Sequence, residues 1–103
     1  MKPRNCLLTL VFPRALEERV VSLVLRRGDL ASGFSTSEVE GHGRNARLTG
    51  AVEKVRGRAR RGQMKVVLND VDAQELIAFL KAELARADIV YWLIPVTEFG
   101  SFL

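Results

Sequence analysis

"NCLLTLVFPRALEERVVSLVLRRG", residues 5–28, decides the fold because it joins a strand signal to a helix signal across one proline. Residues 5–12 are a continuous apolar run of strand length, expected as a strand covered on both faces. Pro13 ends that run and suits the first turn of a helix, where its missing N–H leaves nothing unsatisfied. Beyond it Leu16, Val20, Leu23 and Val24 recur at helical spacing, while Arg14, Glu17, Glu18 and Arg26 fall on the opposite face. Gly28 supplies a C-terminal stop.

The same alternation of signals continues outward. "GFSTSEVEG" (33–41) reads as a second strand, with Phe34, Thr36, Glu38 and Glu40 on one face and Ser35, Ser37 and Val39 on the other. A polar, basic segment with glycines at 41, 43, 50, 57 and 62 follows, expected as the mobile part of the chain. "QMKVVLND" (63–70) is a third strand. "DAQE" (72–75) has the form of a capping box, Asp72 accepting from the N–H of Glu75. Leu76, Phe79, Leu80 and Leu84 then line one face of a second helix. "DIVYWLIPV" (88–96) is the last strand, and Pro95 places its end at a sheet edge or bend. The order strand, helix, strand, loop, strand, helix, strand predicts an α+β, ferredoxin-like βαββαβ sandwich with a four-stranded antiparallel sheet and both helices on one face. The free face of that sheet is apolar around "VYWLI", which predicts self-association through sheet faces or edges.

Composition sets outer bounds. The 103 residues suit a single domain, 1–103. Hydrophobic residues make up 48% and charged residues 27% of the chain, as in an ordinary globular protein. No apolar run approaches the roughly 20 residues that span a bilayer. The basic, briefly apolar start lacks a small-residue cleavage site, so a secretory signal is not expected and a cytoplasmic location is. The single cysteine, Cys6, allows no internal disulfide and reads as a small buried hydrophobe in a strand. The formal charge of +4 is concentrated in "KVRGRARR" (54–61), which carries five positive charges and no negative one. Such a run is either a solvated loop or a site for an anion or an acidic surface.

Several chemistries can be set aside. A metal-carrier domain of this topology needs two cysteines separated by two residues after the first strand. RNA recognition needs aromatic residues on the central strands, and "MKVVLND" has none. Catalysis needs a nucleophile with a base and an orienting partner, and His42, the only histidine, is paired with no serine or cysteine by motif. The chain is therefore expected not to be an enzyme, which leaves binding.

"SEVEGHGRNARLTG" (37–50) makes the binding class specific. Ser37, Glu38, Val39, Glu40, Gly41, His42, Gly43, Arg44 and Asn45 resemble the stretch T-E-V-x-G-x-G-R-Q, where the second strand of PII signalling proteins enters their flexible T-loop. "YWLIPVTEF" is similar to their last-strand segment I-F-V-x-P-V-E-E, and the element order agrees over essentially the whole chain. Within that superfamily "CLLTLVFPRALEERVV", "EVEGHG" and "ADIVYWLIPVTEFG" resemble the small PII-like domains encoded beside heavy-metal-efflux pumps of the RND type. The resemblance implies a homotrimer with ligand clefts between subunits, a T-loop at about 41–62, and an adenine nucleotide or other small ligand. It further implies that Gly33, Ser35, Gly41, Gly43 and Arg44 line the cleft, glycines admitting backbone N–H groups to a phosphate and arginine adding a charged fork. The partner it implies is an RND efflux transporter or its regulator.

Two features depart from the PII pattern. "ARADIVYW" stands where a second phosphate loop with glycine and lysine precedes the last strand, and "EFGSFL" lacks the terminal arginines that grip the nucleotide. A smaller ligand than a triphosphate, or none, is implied. His42, a neutral imidazole near pH 7, is a candidate ligand for a transition metal together with Glu40, and Glu38 shares their face if the strand continues. The alternatives are a metal-buffering protein without nucleotide, or a nucleic-acid-binding module using the basic loop, which the missing aromatics disfavour.

Overall fold

The apolar run that follows Asn5 forms an extended strand, β1 (Cys6–Pro13), and its proline turns the chain into a single 3-10 turn, Arg14–Leu16. In the computed structural model, which describes residues 3–41 and 59–103, α1 (Glu17–Leu25) follows. Next come β2 (Ser35–Gly41), β3 (Ala59–Leu68), α2 (Asp70–Glu83) and β4 (Val90–Pro95). The four strands form one sheet in the order β2-β3-β1-β4, with every neighbouring pair antiparallel. This is the ferredoxin-like βαββαβ arrangement expected from the sequence.

The core lies between the helices and one face of the sheet. Cys6, Leu8, Leu10 and Phe12 of β1 and Met64, Val66 and Leu68 of β3 point into it at alternate positions. Val20, Leu23 and Val24 of α1 meet Ala73, Leu76, Ile77 and Leu80 of α2 there, with Leu16, Phe34, Phe79 and Leu84 packed half-buried around them. Each of the larger side chains contributes about 1.5–3 kcal/mol by leaving water. Glu17 and Glu18 in the first turn of α1 complement the positive end of the helix dipole.

Four expectations are corrected. β1 is covered by helices on one face only; on the other, Leu7 and Val11 stay half-buried and only Thr9 is closed off. α1 ends at Leu25, ahead of Gly28, and the chain turns on the Arg27 carbonyl, which accepts from the N–H groups of Leu30 and Ala31 at 3.0 Å each. α2 begins two residues before the proposed capping box. Its cap is Asn69, whose Oδ1 accepts from the Val71 N–H at 3.0 Å, and Asp72 is instead buried in the first turn. A side chain just ahead of β1 supports this: Asn5 Oδ1 accepts from the Asp70 N–H at 3.0 Å, satisfying another orphan donor of the helix start.

The fourth correction concerns the expected loop at 41–62. Gly41 is the last residue of β2, and residues 59–62 are the first part of β3. Gly62 pairs with Phe12, and a Cβ there would lie 2.4 Å from Phe12 Cε1. It is a packing glycine in a strand.

Candidate functional site

The face of the sheet turned away from the helices divides into two halves. The strand register stacks Ser35, Lys65, Thr9 and Trp92 in one row and Ser37, Gln63, Val11 and Val90 in the next. A third row runs from Val67 through Leu7 to Ile94. The β2–β3 half is polar, and Ser37 Oγ donates to Gln63 Oε1 at 3.5 Å. The β1–β4 half is apolar, and Val90, Trp92 and Ile94 are 55%, 43% and 46% exposed. Three large apolar side chains on one face of one strand, left about half in water, form a contiguous patch of the kind that marks an interaction surface.

At the end of this face where β2 and β3 leave the sheet stands a buried ion pair. Arg61 of β3 has a side chain only 7% exposed, and its Nη2 lies 3.0 Å from Asp88 Oδ2. Its Nη1 donates to the Asp88 carbonyl at 3.5 Å. The carboxylate oxygen makes a close ionic contact without hydrogen-bond alignment and is closed off from water. Asp88 belongs to the connection between α2 and β4, so the pair ties that connection to the first part of β3. Arg61 was expected to be part of a basic run open to an acidic surface. The structure buries it against Asp88 instead.

The connection itself is tightly wound. Leu84 caps α2 with its N–H donating to the Leu80 carbonyl at 2.8 Å, Ala87 donates to the Leu84 carbonyl at 3.0 Å, and Ile89 to the Ala87 carbonyl at 2.8 Å. Arg86 adopts φ 63°, the left-handed conformation, which costs a residue with a Cβ about 1–2 kcal/mol. No sequence signal pointed to it, since arginine is not a residue that favours this region. Glycine would be expected there, and the resemblance to PII proteins indeed put a glycine-rich loop at this place.

Beneath the connection, on the helix side, lies an apolar cavity of about 390 Å³ lined by Leu10, Leu80, Leu84, Ile89 and Tyr91 among others, with Lys81 and Arg86 at its edge. A second, polar cavity of about 280 Å³ lies at the opposite end of the molecule, among Arg4, Asp29, Ser32, Asn69 and Asp72. There Arg27 donates two hydrogen bonds to Asp29 and holds its carboxyl below the usual carboxylate range. Cys6 is buried, its thiol donates to the Leu68 carbonyl at 3.5 Å, and burial followed by the nearby Asp70 charge pushes its pKa up. It is the inert strand cysteine expected from the sequence.

Of the expected cleft residues, Gly33 lies two residues ahead of β2, Ser35 opens it and Gly41 ends it. Six strand residues at about 3.3 Å each separate Ser35 from Gly41 by roughly 20 Å. One chain therefore does not bring them together. Gly43, Arg44 and the candidate metal ligand His42 lie outside the described residues. Glu38, which was to share a face with Glu40 and His42, is engaged by Arg14 at 2.8 Å. Among the described residues no cluster of three or more metal-ligating side chains occurs, and no helix is long and apolar enough to cross a membrane.

Comparison with known proteins is consistent with this geometry. Residues 3–103 match the model of a family described as a protein of unknown function, DUF3240. The structure is similar to that of a DUF3240 family protein from Shewanella baltica OS155, with TM-score 0.78 and 17% identity, covering 98% of this chain and 99% of that one. It is also similar to CPII, a nitrogen regulatory PII-like protein from Thiomonas intermedia K12 bound to ADP, AMP and bicarbonate. That likeness has TM-score 0.70 and 12% identity and covers 95% and 96% of the two chains. A PII-like signalling protein from Thermus thermophilus gives TM-score 0.64 and 20% identity, covering 89% of this chain and 86% of that one. No curated protein matches the chain.

Proposed function

Because this chain belongs to the DUF3240 family and has the fold of PII-like proteins, we propose that it is a cytoplasmic regulatory protein that assembles through its open sheet face and binds a small ligand between subunits. The ligand we assign is an adenine nucleotide smaller than a triphosphate, and the effector is the T-loop expected at about 41–62. The observation that carries the reading is the half-exposed apolar strip Val90, Trp92 and Ile94 beside Leu7 and Val11. A second copy laid on this strip removes it from water. Assembly also resolves the roughly 20 Å between Ser35 and Gly41, because the start of β2 from one copy and its end from another can share one cleft.

Further support comes from the Arg61–Asp88 pair, which fastens the α2–β4 connection to the first part of β3. A ligand touching either element acts on both. The ligands bound by the Thiomonas protein, ADP, AMP and bicarbonate, supply the first candidates. The resemblance of "EVEGHG" and "ADIVYWLIPVTEFG" to PII-like domains encoded beside RND efflux pumps points to a metal-efflux transporter or its control machinery as the partner. Calorimetric titration with ADP and AMP, each with and without bicarbonate, and in parallel with zinc and cuprous ions, tests the reading. Saturable nucleotide binding that disappears in an assembly-deficient Trp92→Glu variant is the expected result. Metal binding without any nucleotide response, unaffected by Trp92→Glu, would overturn it in favour of metal buffering.

A further inference from the structure

The apolar cavity under the α2–β4 connection lies on the helix side of the sheet and uses none of the residues of the proposed inter-subunit cleft. Its floor is core: Leu10, Ile77 and Leu80 are each buried. Leu84, Ile89 and Tyr91 form walls that reach toward solvent, and its volume of about 390 Å³ lies within the range of about 300–1,000 Å³ typical of small-molecule sites. Both charged residues that line it, Lys81 and Arg86, are cationic, and no acidic residue does so. Neither is neutralised: among the described residues no carboxylate pairs with Lys81 or Arg86. Lys81 Nζ instead stands 5.1 Å above the Tyr91 ring, which holds its charge over one wall.

Arg86 gives the second, independent observation. A left-handed position in the turn after a helix is met most cheaply by glycine, yet here, two residues past the cap Leu84, it carries an arginine that lines the cavity at the expense of a strained backbone. Strain kept at a position where a simpler residue would relieve it points to use of the side chain.

We propose that this cavity is a binding site for a small amphipathic carboxylate, whose apolar body fills the space among Leu80, Leu84, Ile89 and Tyr91 and whose carboxylate meets Lys81 and Arg86. Charge complementarity selects the anion: an apolar floor with two unneutralised cations at its edge disfavours a cationic or neutral ligand of the same shape. The site borders the α2–β4 connection but uses none of the residues named for the nucleotide cleft and needs no assembly through the open sheet face.

The test titrates the intact protein with octanoate, octanol and octylamine by calorimetry, and maps each by amide chemical-shift changes. Octanoate is expected to bind with a dissociation constant below about 1 mM, at least tenfold tighter than octanol or octylamine, and to shift resonances of residues 80–91. Arg86→Gly is expected to raise the thermal midpoint by removing the backbone strain while weakening octanoate at least fivefold, so a loss of binding there is separable from unfolding. Leu84→Trp, which fills the cavity from its half-exposed wall, is expected to abolish octanoate binding. Equal affinity for octylamine, unchanged octanoate affinity in Arg86→Gly, or shifts confined to the open sheet face would each overturn the proposal.

Discussion

At position 62 a methyl group has nowhere to go. A Cβ there would meet Phe12 Cε1 at 2.4 Å and Glu17 Oε1 at 2.9 Å, and Phe12 is itself fully buried. Gly62→Ala is therefore expected to lower stability by about 1–3 kcal/mol in urea unfolding, and a further Phe12→Leu change is expected to recover part of that loss. From the sequence this glycine looked like one of several hinge residues, because the ring that needs its bareness sits fifty positions earlier and is reached only through the β1–β3 register. Arg61 teaches the same lesson. It ends a run of basic residues that reads as solvated, but the register places it on the sheet beside Asp88. Arg61→Met leaves Asp88 without its counter-charge and is expected to cost about 2–4 kcal/mol by the same measurement. Cys6 gives a pH dependence of known sign. Its folded pKa is raised, so the unfolded chain loses the thiol proton first. The stability tied to the neutral thiol is full below the unfolded pKa and is lost as pH rises from there through the folded one. Reaction of the native protein with a thiol reagent is expected to be slow and to become fast only on unfolding.

At the scale of elements the sequence was most legible where one residue pattern decides one element. Leu16, Val20, Leu23 and Val24 placed α1, and the continuous apolar run at 5–12 placed β1 as a strand without showing that only one of its faces is covered by helices. The ends of elements were less legible because side chains from elsewhere decide them. The start of α2 is set by Asn69, whose Oδ1 caps the Val71 N–H and whose Nδ2 donates to the Pro3 carbonyl at 3.0 Å, together with Asn5 just ahead of β1. The local "DAQE" pattern had a valid chemical form but competed with a cap assembled from distant segments. Asn69→Ala is expected to cost about 1–2 kcal/mol, whereas Asn69→Asp, which keeps the acceptor and loses only the donor to Pro3, is expected to cost less than half as much. Chemical denaturation of the two variants side by side separates the cap from the crosslink.

The topology of the whole molecule followed from element order alone, since two split strand–helix–strand units leave few arrangements of the sheet. The candidate site did not follow in the same way. Gly33, Ser35 and Gly41 were named as one cleft, yet a seven-residue strand holds its two ends apart. The proposed assembly would bring the start of β2 in one copy to its end in another, and His42, Gly43 and Arg44 lie outside the described residues. The apolar strip on β4 is the physical link between the fold and the proposed function. If Val90, Trp92 and Ile94 are covered by another subunit, the clefts exist; if they face water in the working protein, they do not. Sedimentation equilibrium of the wild-type chain at micromolar concentration, alongside Trp92→Glu, measures this directly. A stable trimer that the substitution converts to monomer is the expected result, and a wild-type monomer would contradict the account.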